Sequence, residues 1–264
     1  MKNKIWENIL KLREASPLVQ NITNYVVMNN TANALLAIGA SPIMAHAHSE
    51  ISDMLKIAQS LVINIGTLDE YWVKSMKLAA QEVEKHKKPW VLDPVGAGAS
   101  AYRDQVLLEL LALRPSIVRG NASEIMALAK LNTHQSKGVD STMASHEALA
   151  AAQQLAKDWQ TVVCVSGAKD VIADGQKTIY VENGTPLMTQ VTGMGCTATA
   201  LVGAWAAIVP DMLEATATAM SILSVAGEVA LRNSPGPGTL QVNILDKLHN
   251  LSAEEYLQTA VVYE

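Results

Sequence analysis

The chain has 264 residues, 49% of them hydrophobic and 17% charged, with 20 Lys+Arg against 25 Asp+Glu for a net charge of −5. That composition is too apolar for a disordered segment, and a chain of this length can bury most of its apolar surface. The acidic balance argues against a nucleic-acid partner, and two Cys exclude a disulfide scaffold and fit a reducing compartment.

Residues 1–17 alternate apolar and charged side chains at helical spacing and lack the unbroken apolar core of a signal peptide. Short β-branched runs follow at 18–23, 61–66, 90–94, 116–120 and 161–165, the pattern of strands buried on both faces. Between them, residues 70–86, 102–113, 123–131 and 145–159 repeat apolar positions at helical spacing. The alternation predicts βαβ units and a mostly parallel sheet covered on both sides. After Ser166, runs at 171–175 and 178–181 predict a hairpin around Asp174-Gly175-Gln176-Lys177, followed by helices over 196–209 and 212–231 and a helical tail from Asn243. Residues 183–210 carry no charge, but their continuous apolar part, 198–209, is shorter than the roughly 20 residues of a membrane span. The expectation is one α/β domain over residues 1–264, outside the membrane and in the cytoplasm.

Ligands of an open parallel sheet gather at the carboxyl ends of its strands. No Gly-Lys dipeptide occurs, which excludes a P-loop, and the protein-kinase signature set is absent. Gly96-Ala97-Gly98-Ala99-Ser100-Ala101 fits GxGxx(G/A), but Pro94 interrupts the turn and no strand-end acid follows at the spacing a dinucleotide needs. In Val191-Thr192-Gly193-Met194-Gly195-Cys196-Thr197-Ala198, two glycines lead into an Ala-rich helix, where bare N–H groups at the positive end of the dipole form an anion site. Cys196 would sit in the first turn, where the dipole lowers a thiol pKa. The alternative is that the glycines only turn the chain and Cys196 is a small buried hydrophobe. Cys164, inside a run of Val, reads as apolar filler. Asn121 and Glu124 have capping-box spacing. Either they only cap, or they face the strand-end crevice and hold a hydrated Mg²⁺ with Asp93 as a second carboxylate. His46-Ala47-His48 with Glu50 and Asp53 lacks a third ligand at metal spacing, and capping of a helix near Ser49 accounts for the acids. His86, His134, His146 and His249 read as surface residues.

At these residues a resemblance emerges. Asn21-Ile22-Thr23-Asn24-Tyr25-Val26-Val27, Thr31-Ala32-Asn33 and Ile38-Gly39-Ala40-Ser41-Pro42-Ile43-Met44 resemble the amino-terminal signature of the hydroxyethylthiazole kinases, of the ribokinase-like superfamily. Asn64-Ile65-Gly66-Thr67-Leu68, Asp93-Pro94-Val95-Gly96-Ala97-Gly98, Arg119-Gly120-Asn121-Ala122-Ser123-Glu124-Ile125, the Gly193 to Cys196 block and Gly236-Pro237-Gly238-Thr239 continue it in order over nearly the whole chain.

The resemblance implies a three-layer α/β/α fold and transfer of the γ-phosphoryl of ATP to the primary alcohol of 4-methyl-5-(2-hydroxyethyl)thiazole. It implies a homotrimer with sites at subunit interfaces. Gly193-Met194-Gly195-Cys196 matches the superfamily's anion hole, with Cys where most sugar kinases carry an Asp base. Asn121-Ala122-Ser123-Glu124 matches the element associated with Mg²⁺ and phosphate. Arg119 and Ser166 are similar in position to ATP contacts, Met44 and Gly193 to thiazole contacts, and Asn24 to a polar residue at the alcohol site contributed by a neighbouring subunit. Met194 stands where many relatives have Ala or Thr, which bears on specificity. On this reading the N–H groups from Gly193 to Cys196 stabilise the transferring phosphoryl, Mg²⁺ near Glu124 and Asp93 bridges phosphates, and Arg119 neutralises ATP. Cys196, with a pKa near 8 as a thiolate base, either accepts the alcohol proton or only orients the hydroxyl. Two other readings differ in kind: a related kinase for another small alcohol, and a catalytically silent metabolite binder.

Overall fold

The β-branched runs form strands because Val and Ile fill a pleated surface that is covered on both faces. A computed structural model of the chain describes residues 1–133 and 144–264. Six strands lie parallel: β1 (Leu18–Ile22), β2 (Ser41–Ile43), β3 (Ser60–Asn64), β4 (Trp90–Asp93), β5 (Ile117–Asn121) and β6 (Val162–Ser166). The hairpin β7 (Asp170–Ala173) and β8 (Thr178–Val181) and a short β9 (Val262–Tyr263) run antiparallel to their neighbours. The sheet order is β2-β1-β3-β4-β5-β6-β7-β8-β9.

The helices are α1 (Lys2–Ala15), α2 (Met28–Ile38), α3 (Ile51–Ile57), α4 (Glu70–Lys85), α5 (Ala101–Leu111), α6 (Ala122–Thr133), α7 (Ala144–Trp159), α8 (Met194–Ala206), α9 (Met212–Leu231), α10 (Pro237–Asn250) and α11 (Ala253–Thr259). Alternate strand residues feed two cores, one on each face of the sheet. Val62, Val91, Ile117 and Cys164 join α1, α2 and α8 to α11 in one. Leu61, Ile63, Leu92, Val118 and Val163 join α3 to α7 in the other. The result is a three-layer α/β/α sandwich. The uncharged stretch is explained by its place in it: α8 lies on β3 and β4, and α9 covers the face that the sheet does not. Every residue of α8 from Thr197 to Ala206 is buried. A helix apolar all round belongs in such an inner position. Among the described residues no helix is long and apolar enough to cross a membrane.

Two elements escape the periodicity. Helix α2 contains Asn29, Asn30, Thr31 and Asn33, all poor helix formers, and is fixed by burying Ala34, Leu35 and Ile38. Strand β2 is three residues long with Pro42 at its centre, tolerated because it is the sheet edge. The carboxyl-terminal tail is helical earlier than Asn243: Gly236-Pro237-Gly238-Thr239 is the start of α10, with Pro237 in the first turn and Thr239 Oγ1 donating to the Gly236 carbonyl at 3.0 Å.

Arg103, in the first turn of α5, ties the strand ends together. Its Nη1 donates to the Ile65 and Val95 carbonyls at 2.5 and 2.8 Å, and its Nη2 to the Gly66 carbonyl at 2.8 Å. These carbonyls follow β3 and β4, so one guanidinium sets the separation of the loops after Asn64 and Asp93. Arg103→Leu strands three carbonyls and is expected to lower stability by roughly 2 kcal/mol, read from the urea midpoint.

Candidate active site

The carboxyl ends of β4, β5 and β6 and the amino terminus of α8 meet around a cavity of about 690 Å³. Asp93, Arg119, Asn121, Glu124 and Ser166 line one part and Gly193, Met194, Gly195 and Cys196 another, while Thr185, Met188, Met220 and Leu223 extend it. Gly193 opens α8 in the left-handed region, φ +77°, where a Cβ would run into Val27 Cγ1. At Gly195 a Cβ would lie 2.8 Å from Arg119 Nη1, so only a hydrogen lets the helix start rest on the guanidinium. Free N–H groups of the first turn thus have a fixed cation behind them, and both favour an anion.

Arg119 is 7% exposed, with Nη2 donating to Ser166 Oγ at 2.6 Å and Nε without a partner among the described residues. Glu124 accepts from Gly96 N at 3.0 Å and Asn121 N at 2.8 Å, while Asn121 Oδ1 accepts from Glu124 N at 2.9 Å. The capping box therefore exists, and it also holds the loop after β4 against α6. Asp93 Oδ2 accepts from Asn64 Nδ2 and Thr199 Oγ1, each at 2.7 Å. Burial pushes its pKa up to about 6, against the pull of Arg119 and these hydrogen bonds. Asp170, buried at the start of β7, accepts from Gly167 N at 3.0 Å and is likewise pushed up by burial to about 6.

A model of the hydroxyethylthiazole kinase family matches residues 9–254. The chain is 52% identical to a hydroxyethylthiazole kinase of Nitratidesulfovibrio vulgaris over 94% of its length and 92% of the relative's, and 49% identical to one of Syntrophus aciditrophicus over 95% and 93%. The chain belongs to the hydroxyethylthiazole kinase family. The structure of the Pyrococcus horikoshii hydroxyethylthiazole kinase superposes with a TM-score of 0.92 at 41% identity, covering 99% of this chain and 98% of that one. Staphylococcus aureus pyridoxal kinase, in complex with pyridoxal, shares the fold with a TM-score of 0.61 at 16% identity, over 80% of this chain and 88% of that one. The three-layer sandwich is ribokinase-like.

Within this family member the cavity gathers Asp93, Arg119, Asn121, Glu124, Ser166, Gly193, Gly195 and Cys196, eight of the ten positions singled out in the sequence. Asn24 lies beside them: its Nδ2 is 3.5 Å from Cys196 Sγ within the same chain. The turn after β1 delivers this Asn24 of the same chain directly to the start of α8. Met44 follows the edge strand β2, two strands away from β3, and does not line the cavity. Met194 lines the cavity but also packs against the core. His48 stacks on Tyr71 and His46 lies tilted against Trp72, with ring centroids 3.9 Å apart in each pair. His249 is exposed and His86 half-buried; His134 and the side chain of His146 lie outside the described residues.

The thiol expectation is corrected. Cys196 is pushed up to about 11, first by burial and then by the negative charge of Asp93, and hydrogen bonds from the Asn64 and Asn24 amides only partly oppose this. Desolvation and a nearby carboxylate both disfavour the thiolate, so the group is a neutral thiol at pH 7. Cys164 is wholly buried, as its Val surroundings suggest. Reading the sequence missed Asn64, Thr199, Arg103 and Asp170. Asn64 and Asp170 are polar residues bounding strands, and that position was the available signal.

Alkylation of Cys196 by iodoacetamide is expected to keep accelerating with pH towards about 11, with Cys164 unmodified by intact mass. The raised pKa of Asp93 makes its burial cost absent below its ordinary value of 3.8 and complete above about 6. Asp93→Asn is therefore expected to exceed the parent in urea resistance at pH 8, to lose that advantage at pH 3.5, and to lose turnover.

Proposed function

We propose that the chain transfers the γ-phosphoryl of ATP to the hydroxyl of 4-methyl-5-(2-hydroxyethyl)thiazole, giving the thiazole phosphate used for thiamine. The family named for that activity supports it, and the observation that carries it is Arg119 Nη1 seated beneath Gly195 at the open start of α8. Phosphoryl transfer through a loose transition state asks for positioning and charge stabilisation and little of a base. The N–H groups of Gly193, Gly195 and Cys196 receive the charge developing on the γ-phosphoryl oxygens, while Met194 N–H donates to the Val191 carbonyl at 3.3 Å, and Arg119, oriented by Ser166, reinforces them. Asn121 holds Glu124 in place at the ATP side. Cys196 keeps its proton and orients the alcohol, with Asn24 donating to its sulfur. Gly193 stands at the thiazole end, which Met44 reaches only in an assembly of subunits.

A divalent cation fits this donor set. Asp93 and Glu124 are hard oxygen ligands lining one cavity, the charge of Glu124 disfavours ionisation of Asp93, and hydrogen bonds fix both in place. Mg²⁺ is commonly bound by one or two carboxylates plus phosphates and water. Glu124 and Asp93 would hold it, and it would neutralise the ATP phosphates.

The whole of residues 1–264 serves as one kinase domain, acting in the cytoplasm, where its two free cysteines stay reduced. A homotrimer completes the site. Tyr25 and Val26, 58% and 61% exposed, adjoin Asn24, and a neighbouring subunit covering them would close the alcohol end and bring Met44 to it.

Incubation with Mg²⁺-ATP and hydroxyethylthiazole, followed by ³¹P NMR, is expected to show a phosphomonoester. ATP binding without product would point to another alcohol, and no ATP binding to a silent binder. Gly195→Val is expected to lose roughly 1,000-fold in kcat because it fills the anion hole, whereas Cys196→Ser and Cys196→Asp keep turnover within roughly tenfold of the parent.

A further inference from the structure

Asn64 ends β3 with 1% of its surface exposed, and no step described above uses it. Its Oδ1 accepts from Asn24 Nδ2 at 2.8 Å and from Gly66 N at 2.9 Å, and its Nδ2 donates to Asp93 Oδ2 at 2.7 Å. The orientation of this amide is forced. A backbone N–H only donates, so the atom facing Gly66 N is the oxygen, and the nitrogen must face the carboxylate. The same logic fixes Asn24: Val26 N donates to its Oδ1 at 3.0 Å, which turns its Nδ2 towards Asn64 Oδ1 and the Cys196 sulfur. At Gly66 a Cβ would lie 2.5 Å from Asn24 Nδ2, so the chain leaves room for this arrangement and for nothing larger.

We infer that Asn64 is a positioning residue for phosphoryl transfer: one buried amide holds Asp93 directly and the Cys196 thiol through Asn24, and so sets the two groups relative to each other across the cavity. The inference deepens the kinase reading and rests on it. Two features separate it from ordinary satisfaction of buried polar groups. Both lone pairs of Oδ1 are taken, one by a backbone N–H that cannot move independently, so the amide is anchored rather than swivelling. The chain of bonds also ends on two groups that line the cavity, not on the core.

The test uses the full chain carrying Asn64→Ala, with Asn64→Ser as a milder replacement that keeps a hydroxyl donor for Asp93. Ser60→Ala serves as the control for a structural role. Ser60 lies on the same strand, is fully buried, and donates to the Gly203 carbonyl at 2.7 Å, far from the cavity. Two readouts are taken: kcat and KM with Mg²⁺-ATP and the thiazole alcohol, and the rate of Cys196 alkylation by iodoacetamide at pH 8. With Asn64→Ala, kcat is expected to fall by roughly tenfold or more while KM for ATP stays within roughly threefold. Cys196 alkylation is expected to slow by roughly threefold or more, because Asn24, no longer held by Asn64 Oδ1, keeps its donor less well aimed at the thiolate. Ser60→Ala is expected to lower stability and move neither readout. Modification of Cys164 as well as Cys196 would report unfolding of the Ala variant, and Asn64→Ser then decides by the same criteria. Asn64 variants that match Ser60→Ala in both readouts overturn the inference, and so does slowed alkylation with unchanged kcat. Absence of any alcohol phosphorylation in the parent chain counts against the kinase reading. In that case an unchanged alkylation rate still overturns the link from Asn64 to Cys196, and a slowed one supports it.

Discussion

A buried guanidinium in the middle of β5 governs the arrangement of this molecule. Taking a cation out of water is costly unless neighbouring groups compensate it. Arg119 is compensated on several sides: Ser166 accepts one of its hydrogens, and Asp93 and Asp170 each feel its charge. Both carboxylates are raised in spite of that cation, which shows how strongly the site is desolvated. The start of α8 then comes to rest on Arg119, and that contact is what requires glycine at position 195. Helix α8 reaches that position only because α9 covers its other face, so the long uncharged stretch of the chain and the anion hole are parts of one construction.

The same desolvation decides the character of Cys196. A thiol at a helix amino terminus is usually an activated one. Here burial and the Asp93 carboxylate push the other way, and the Cys196 thiol holds its proton at neutral pH. On the proposed reaction the site is asked to stabilise charge on the phosphoryl and leaves little work for a base, in keeping with a loose transition state. The polar atoms around the thiol, Asn24 and Asn64, are set by backbone N–H groups and resist reorientation.

Several site residues could be found in the chain because their signals are local. Glu124 pairs with Asn121 three positions away, and Gly193 and Gly195 flank the residue that begins α8. Thr199 and Arg103 carry no local signal, since their partners are 106 and 38 positions away in Asp93 and Ile65, and Asn64 shows only its place at a strand end, while its partner Asp93 is 29 positions away. Asn24 was visible as a polar residue in a family block, but its arrival at Cys196, 172 positions away, follows from the pairing of β1 with β3 and the seat of α8. The helix α2 was hidden for a related reason: its Asn-rich composition opposes helix formation, and burial of one face against α8 and α10 overrides it.

By itself the sequence determined the alternation of strands and helices, the two-faced burial of the central strands and a helix that starts between two glycines, because hydrophobic period and glycine placement act over a few residues. Only the tertiary structure decided the protonation of Cys196, the shared use of Arg119 by the sheet and α8, and the amide relay through Asn64. Each of these depends on how much water is excluded and on which distant strand end lies within a hydrogen bond, and neither is a property of a local segment.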